Sequence, residues 1–317
     1  MEESSRSTTR RRVLRMPARR QIIRLMATVF ATVAALQAIT IFVLTAVDKR
    51  RRSRLGSVTF PHDELPEVSV DGNMLQIYTY GREVYEAMLA AIDAAVESIY
   101  FETFIWKNDA VGREFKEHLI RKADEGVAVY VIFDSFGNLV VPRAFKQFPS
   151  NVHVLRYRAI RRLRHLLRPR RYALDHRKLL IVDGRVAFIG GYNIGSLYAT
   201  EWRDTHLRIS GADAGALAQA FVDFWDRNAS RTDAINRRYK RRFNSTLLVR
   251  SNDAMRLTFP IRDMYLNGID AAERDICLTS AYFIPDHILL DSLKRAAARG
   301  VNVQVLVPWI SNHIVAD

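Results

Sequence analysis

From Leu25 to Val47 the chain runs 23 residues without a charged side chain, bounded by Arg19, Arg20 and Arg24 before and by Lys49, Arg50, Arg51, Arg52 and Arg54 after. At about 1.5 Å per residue such a helix measures roughly 34 Å, enough to cross a hydrocarbon core of ~30 Å. A cleaved signal peptide is the rival reading, because Ala35-Leu36-Gln37-Ala38 has small residues at suitable spacing, but the apolar run continues nine residues past it. A retained single-pass anchor is therefore expected. Eight arginines precede it and five basic residues follow, which leans toward an N-terminus inside and leaves the side of the body undecided.

Residues 48–69 read as a basic linker, and beyond them the pattern changes. Helix-like periodicity over Val84 to Val96 alternates with short apolar runs at Ile99 to Trp106 and Val127 to Phe133. Alternation of this kind predicts an α/β sheet domain.

The alternation repeats. Ile92-Asp93-Ala94-Ala95 with Ile99 recurs as Ile269-Asp270-Ala271-Ala272 with Ile276, an offset of 177 residues. Ala123, Gly126, Val127, Val129 and Val131 recur as Ala297, Gly300, Val301, Val303 and Val305, an offset of 174. Any two βαβ units share a helix-stopping Gly and valine-filled strands, but shared order and near-constant offset favour two related halves. Whatever stands 50 residues after Gly126 is then expected again near position 350, so within 317 residues the second half reads as incomplete, either a stub or a fragment of a longer product.

Charge sharpens this picture. The net +14 resides in two places: +10 over residues 1–54 and +8 from eight arginines over 156–171, leaving −4 for the rest. Next to a membrane anchor, the second cluster suits anionic lipid headgroups, although a solvated loop or helix face would look the same. One cysteine, Cys277, excludes a disulfide framework or a paired-cysteine zinc site, and the eight histidines contain no H-E-x-x-H pairing; no metal or cofactor is expected.

The densest chemistry lies between His176 and Asn193. Leu179 to Val182 and Val186 to Ile189 flank Asp183-Gly184, a strong hairpin signal. With a two-residue turn, His176 falls opposite Gly191, with Asn193 two positions on and Lys178 on the same strand face as His176. An imidazole, an ammonium and an amide then converge beside Gly190 and Gly191, where a ligand can approach the backbone closely. That grouping suits a phosphodiester: the imidazole attacks phosphorus, and Lys178 and Asn193 stabilise the charge that develops on the phosphoryl oxygens.

H-x-K-x4-D-x6-G-[GS]-x-N is the signature of the phospholipase D superfamily, and His176, Lys178, Asp183, Gly190, Gly191 and Asn193 fit it without a gap. Gly190-Gly191-Tyr192-Asn193-Ile194-Gly195, then Trp202-Arg203-Asp204-Thr205-His206-Leu207 and Ala281-Tyr282-Phe283-Ile284-Pro285-Asp286, resemble bacterial cardiolipin synthases more narrowly. The resemblance covers roughly Val70 to the C-terminus.

It implies a mixed β-sheet flanked by helices, and a two-step transfer in which His176 takes the phosphatidyl group and a second alcohol or water removes it. In cardiolipin synthases both lipid partners are phosphatidylglycerol. Lys178 and Asn193, with Gly190 and Gly191, match the family's phosphate binders. Asp204 falls where the family places a carboxylate that orients the nucleophile, and Asp183, although part of the catalytic signature, is expected to hold the hairpin. The implied organisation is a basic tail (1–24), a transmembrane helix (25–47), a basic linker (48–69), a first half with the catalytic motif (70–245) and an incomplete second half (246–317), at the bacterial cytoplasmic membrane. The family builds one site from two such motifs. The second is then expected from a missing C-terminal half or from a second chain. A phospholipid hydrolase and an inactive membrane-anchored lipid binder stay open. A nuclease is disfavoured by the anchor and by the scarcity of aromatics among the arginines, so no nucleic acid partner is expected.

Overall fold

The computed structural model describes residues 65–158, 174–230, 232–235, 249–252 and 257–308, together with His62 and ten positions between 21 and 50. The chain divides into two units, residues 1–57 and 58–317. In the first, the described positions within the expected span, among them Thr28, Leu36, Ile39 and Val43, are helical. Most of that span lies outside the described residues, and among the described residues no helix is long and apolar enough to cross a membrane. Six of the eight clustered arginines, Arg161 to Arg171, likewise lie outside them.

The second unit is built on two buried parallel strands, β3 (Ser98–Thr103) and β4 (Ala128–Asp134), preceded by β1 (Val68–Val70) and β2 (Asn73–Tyr78). All of β3 and all of β4 except Ala128 are buried, as expected for near-continuous apolar runs covered on both faces. Side chains alternate between two cores. Ile99, Phe101, Val129, Val131 and Phe133 face α1 (Gly81–Asp93) and α2 (Ala110–Asp124), which contribute Val84, Met88, Ile92, Phe115 and Leu119. Tyr100, Tyr130 and Ile132 face α4 (Ala214–Asn228) through Leu217, Phe221 and Trp225. The sequence accounts for the helix boundaries: the Asp109 carboxylate accepts from Gly112 N at 3.0 Å to start α2, and Gly126 at φ +92° follows its last turn.

The sheet is completed by β5 (Val152–Tyr157), β6 (Leu179–Val182), β7 (Val186–Gly190) and β8 (His206–Ser210), with the short helix α3 (Ser196–Thr200) between the last two. Its strand order is β1-β2-β8-β7-β6-β3-β4-β5, parallel across β3, β4 and β5 and antiparallel elsewhere. It is therefore the mixed sheet flanked by helices that the resemblance implied.

The hairpin differs from expectation by one residue. Asp183 and Gly184 do turn the chain at positive φ, and Arg185 N donates to Val182 O at 3.0 Å. The ladder, however, pairs Val182 with Val186 and Leu179 with Ile189. Arg185 bulges out of it and lends its carbonyl to Gly211 N, 2.8 Å away. The expected pairing of His176 with Gly191 is thereby corrected, and His176 to Lys178 precede β6 in irregular chain.

In the C-terminal part, α5 (Pro260–Ala271), β9 (Asp275–Thr279), α6 (His287–Ala298) and β10 (Asn302–Leu306) repeat the run from α1 to β4. The parallel pairing of Ile276 with Val303 stands where Ile99 pairs with Val129, at the two offsets seen in sequence. Gly300 has the same φ, +92°, as Gly126, and Val301 N bonds Ala296 O as Val127 N bonds Lys122 O.

Candidate active site

The motif residues gather at the edge where β3 and β4 end, where open α/β sheets commonly bind ligands. After Thr103 the chain stays extended and pairs briefly with the segment following β7: Ile194 N donates to Ile105 O at 3.0 Å and Lys107 N to Ile194 O at 2.9 Å. This brings Asn193 to the end of β3. Its side-chain oxygen accepts from Ile105 N at 3.1 Å and its carbonyl accepts from the buried Tyr85 hydroxyl, an arrangement that orients the amide nitrogen by elimination.

His176 and Lys178 meet directly. Lys178 Nζ lies 3.0 Å from Nδ1 and 3.2 Å from Nε2 of His176, and donates to the His176 carbonyl at 2.7 Å. The Phe104 ring, 4.6 Å between centroids, packs on the imidazole, and Lys178 Nζ lies 5.4 Å from the same ring. Lys178 is only 5% exposed. Burial pushes its ammonium down to about 8 against the pull of Asp204 and Asp175. Burial and the neighbouring Lys178 also lower His176, favouring the neutral imidazole that a nucleophile requires.

Gly190 and Gly191 are small because the chain entering β8 leans on them. A Cβ on Gly191 would stand 1.9 Å from Asp204 Oδ1, and one on Gly190 would stand 2.3 Å from the Thr205 carbonyl. Asp204 is drawn into the cluster electrostatically: burial raises its carboxyl, while the Thr205 amide and Lys178 pull it back. Its oxygen accepts from Thr205 N at 2.8 Å, and among the described residues it makes no hydrogen bond to His176. Beside it, His206 is buried, its Nδ1 has no hydrogen-bond partner among the described residues, and burial pushes its imidazole down to about 3.

Asp183 is not brought to this cluster. It sits past the far end of β6, roughly 17 Å of extended chain from Lys178 and farther along the chain from His176. Its carboxylate receives the amides of Val96, Glu97 and Ser98 at 3.0, 2.7 and 2.8 Å. It ties the hairpin to the start of β3.

A buried polar network beneath the motif escaped the sequence reading. Asp175 and Arg177 flank His176 in sequence. Arg177 points away, 2.6 Å from Glu102 Oε1 and 3.2 Å from Asp175 Oδ1, with its guanidinium 4.0 Å from the Phe224 ring centroid. The backbone of Asp175 is pinned by Asp134 Oδ2 at 3.0 Å. Clamping both neighbours of His176 leaves its imidazole facing Phe104 and Lys178. Burial raises Glu102 well above the usual carboxylate range despite the pull of Arg177. The signal was there to read: Glu102 interrupts an otherwise apolar strand, and a buried carboxylate requires a partner.

Residues 88–225 match a family model described as cardiolipin synthase, PLD-like domain. The chain is 34% identical to the cardiolipin synthase of Listeria monocytogenes over 267 residues, 76% of this chain and 52% of that one. To the cardiolipin synthase of Staphylococcus aureus it is 32% identical over 264 residues, 76% and 51% of the two chains. The chain thus spans about half the length of the curated relatives it matches. The crystal structure of phosphatidylserine synthase from Haemophilus influenzae Rd KW20 superposes with a TM-score of 0.52 at 17% identity, covering 74% of this chain and 61% of that one, a likeness of fold. Sequence kinship, the shared fold and the unbroken signature lead to one conclusion: the chain belongs to the phospholipase D superfamily.

Proposed function

We propose that this chain is a membrane-anchored phosphatidyltransferase of cardiolipin synthase type, held at the bacterial cytoplasmic membrane by a single span over residues 25–47. His176 attacks the phosphorus of a phosphatidylglycerol, a phosphohistidine forms and glycerol leaves. The hydroxyl of a second phosphatidylglycerol then displaces the imidazole, and cardiolipin results. Lys178 and Asn193, beside Gly190 and Gly191, hold the phosphoryl oxygens. Asp204 sets the charge balance of Lys178 and the orientation of the pocket; Asp183 serves through the hairpin.

The observation that carries this reading is the contact between His176 and Lys178: a nucleophile favoured in its neutral form, within about one hydrogen-bond length of a buried cation. The first half of the reading is thus a complete nucleophile with its anion site. Protonating the leaving glycerol takes a general acid, which a second His-Lys pair would supply from a further C-terminal half like that of the relatives or from a second chain. Because the described residues hold one such pair, an inactive lipid-binding protein is the second reading.

The deciding experiment supplies phosphatidylglycerol in vesicles to the full chain and to His176→Ala. Cardiolipin and glycerol that disappear with the substitution support the transferase. Phosphatidic acid in place of cardiolipin would make it a hydrolase, and lipid binding unchanged by His176→Ala with no product would make it a binder.

A further inference from the structure

The loop after β4 presents three large apolar side chains to solvent: Phe136 is 62% exposed, Leu139 68% and Val140 81%. A floppy loop would fold such residues inward, but this one is held from below. The Asp134 carboxylate accepts from Phe136 N at 2.7 Å and from Gly137 N at 3.0 Å. The buried Asn138 side chain donates to Phe104 O at 2.8 Å and to Asp134 O at 2.7 Å, and accepts from Trp106 N at 2.8 Å. A Cβ on Gly137 would lie 2.4 Å from the Phe104 carbonyl, so the loop rests directly on the residue whose ring packs against His176. The apolar tip therefore stands at the mouth of the candidate site.

The chain that follows it is basic. Between Asp134 and Asp175 lie 40 residues without one carboxylate and with ten lysines and arginines. Within the described part, Arg143 and Arg156 lie close enough to Lys146 to depress its ammonium after burial has done so, and Arg156 Nη2 donates to Lys146 O at 2.7 Å. A rigid apolar tip with Lys146 bonded to its Asn138 carbonyl at 2.8 Å and Arg143 and Arg156 beside that lysine suits an anionic bilayer surface: headgroups meet these cations and acyl chains receive the tip.

We propose that Phe136, Leu139 and Val140 form a wedge that inserts into an anionic phospholipid surface and so delivers the headgroup phosphate to His176. This rests on the transferase reading for its purpose and on the loop geometry and its flanking cations for the insertion. The wedge is distinct from the anchor: it would seat the catalytic edge on the bilayer, while the N-terminal segment only tethers the chain.

The test separates these layers. In full-length protein carrying Cys277→Ser, Val140→Cys is labelled with an environment-sensitive fluorophore and reconstituted into phosphatidylglycerol vesicles containing lipids brominated on the acyl chain. Strong quenching that weakens in phosphatidylcholine vesicles is expected. An unquenched label would overturn the wedge, as would a label already shielded in detergent in a concentration-dependent way, which would mean that a second copy covers the tip. Insertion is read without catalysis, so failure of the transferase reading would leave this result intact. Phe136→Ser, Leu139→Ser and Val140→Ser together are expected to slow turnover of vesicle lipid by about tenfold or more. Turnover of a water-soluble short-chain phosphodiester should be unchanged; an equal loss on both would show that the loop acts through folding and overturn the proposal.

Discussion

Gly191 cedes the position of its missing Cβ to the carboxylate of Asp204: a methyl group there would lie 1.9 Å from Oδ1 and 2.2 Å from the carboxyl carbon. Gly191→Ala is therefore a way to move Asp204 without altering its charge. Because the atoms in conflict belong to a side chain, the fold should survive, and activity should fall about tenfold or more as the carboxylate swings away from Lys178. Gly190→Ala meets the backbone of Thr205 and His206 instead and should destabilise the protein. Melting temperature and kcat/KM measured on both variants check the contrast.

The pH dependence follows from two groups. His176, lowered by burial and Lys178, loses its nucleophilic lone pair when it is protonated as pH falls below its depressed value. Lys178, pushed down to about 8 by burial, loses its charge as pH rises through that value. On the proposed mechanism kcat/KM is bell-shaped, with an acid limb below the usual histidine range and an alkaline limb near 8. A profile still rising well above 8 would remove Lys178 as the required cation.

Asp183→Ala removes the acceptor of three backbone amides at the start of β3. A loss of about 2–4 kcal/mol in unfolding free energy is expected, since each orphaned amide costs roughly 1–3 kcal/mol and part of the cost relaxes into solvent. The folded fraction should keep its kcat. Denaturant titration beside active-fraction kinetics separates the two effects, and a large fall in kcat at full folding would return Asp183 to the reacting groups.

Arg177→Met leaves the carboxylates of Glu102 and Asp175 buried together without their cation. Breaking a buried pair costs about 3–5 kcal/mol, more than removing both partners. The double variant Glu102→Gln, Arg177→Met should accordingly recover part of that loss, and a double-mutant cycle by chemical denaturation measures it. Additive losses would show that the two residues stabilise the fold separately.

Much of this was legible before the structure, and the reasons differ by element. β3 and β4 announced themselves because a strand covered on both faces reads as a mostly apolar run, and the helix stops at Gly126 and Gly300 follow from a backbone conformation that glycine adopts freely. The hairpin turn was equally plain, yet its register slipped by one. Whether Arg185 pairs or bulges depends on Gly211 of the neighbouring strand, which local pattern does not contain. For the same reason β2 and β8, which pair across more than a hundred residues, were not anticipated. In the candidate site, His176, Lys178 and Asn193 were singled out by the motif's spacing, whereas Asp134, Glu102 and Arg177 act largely through partners distant in sequence.

The central claim is that His176 carries the phosphatidyl group. The most direct measurement is intact and peptide mass spectrometry, under conditions that preserve phosphoramidates, of the full chain quenched during incubation with phosphatidylglycerol. The account predicts a phosphatidyl adduct on His176, absent in His176→Ala and retained in Asp183→Asn. Cardiolipin formed with no adduct, or an adduct on any other residue, would contradict it.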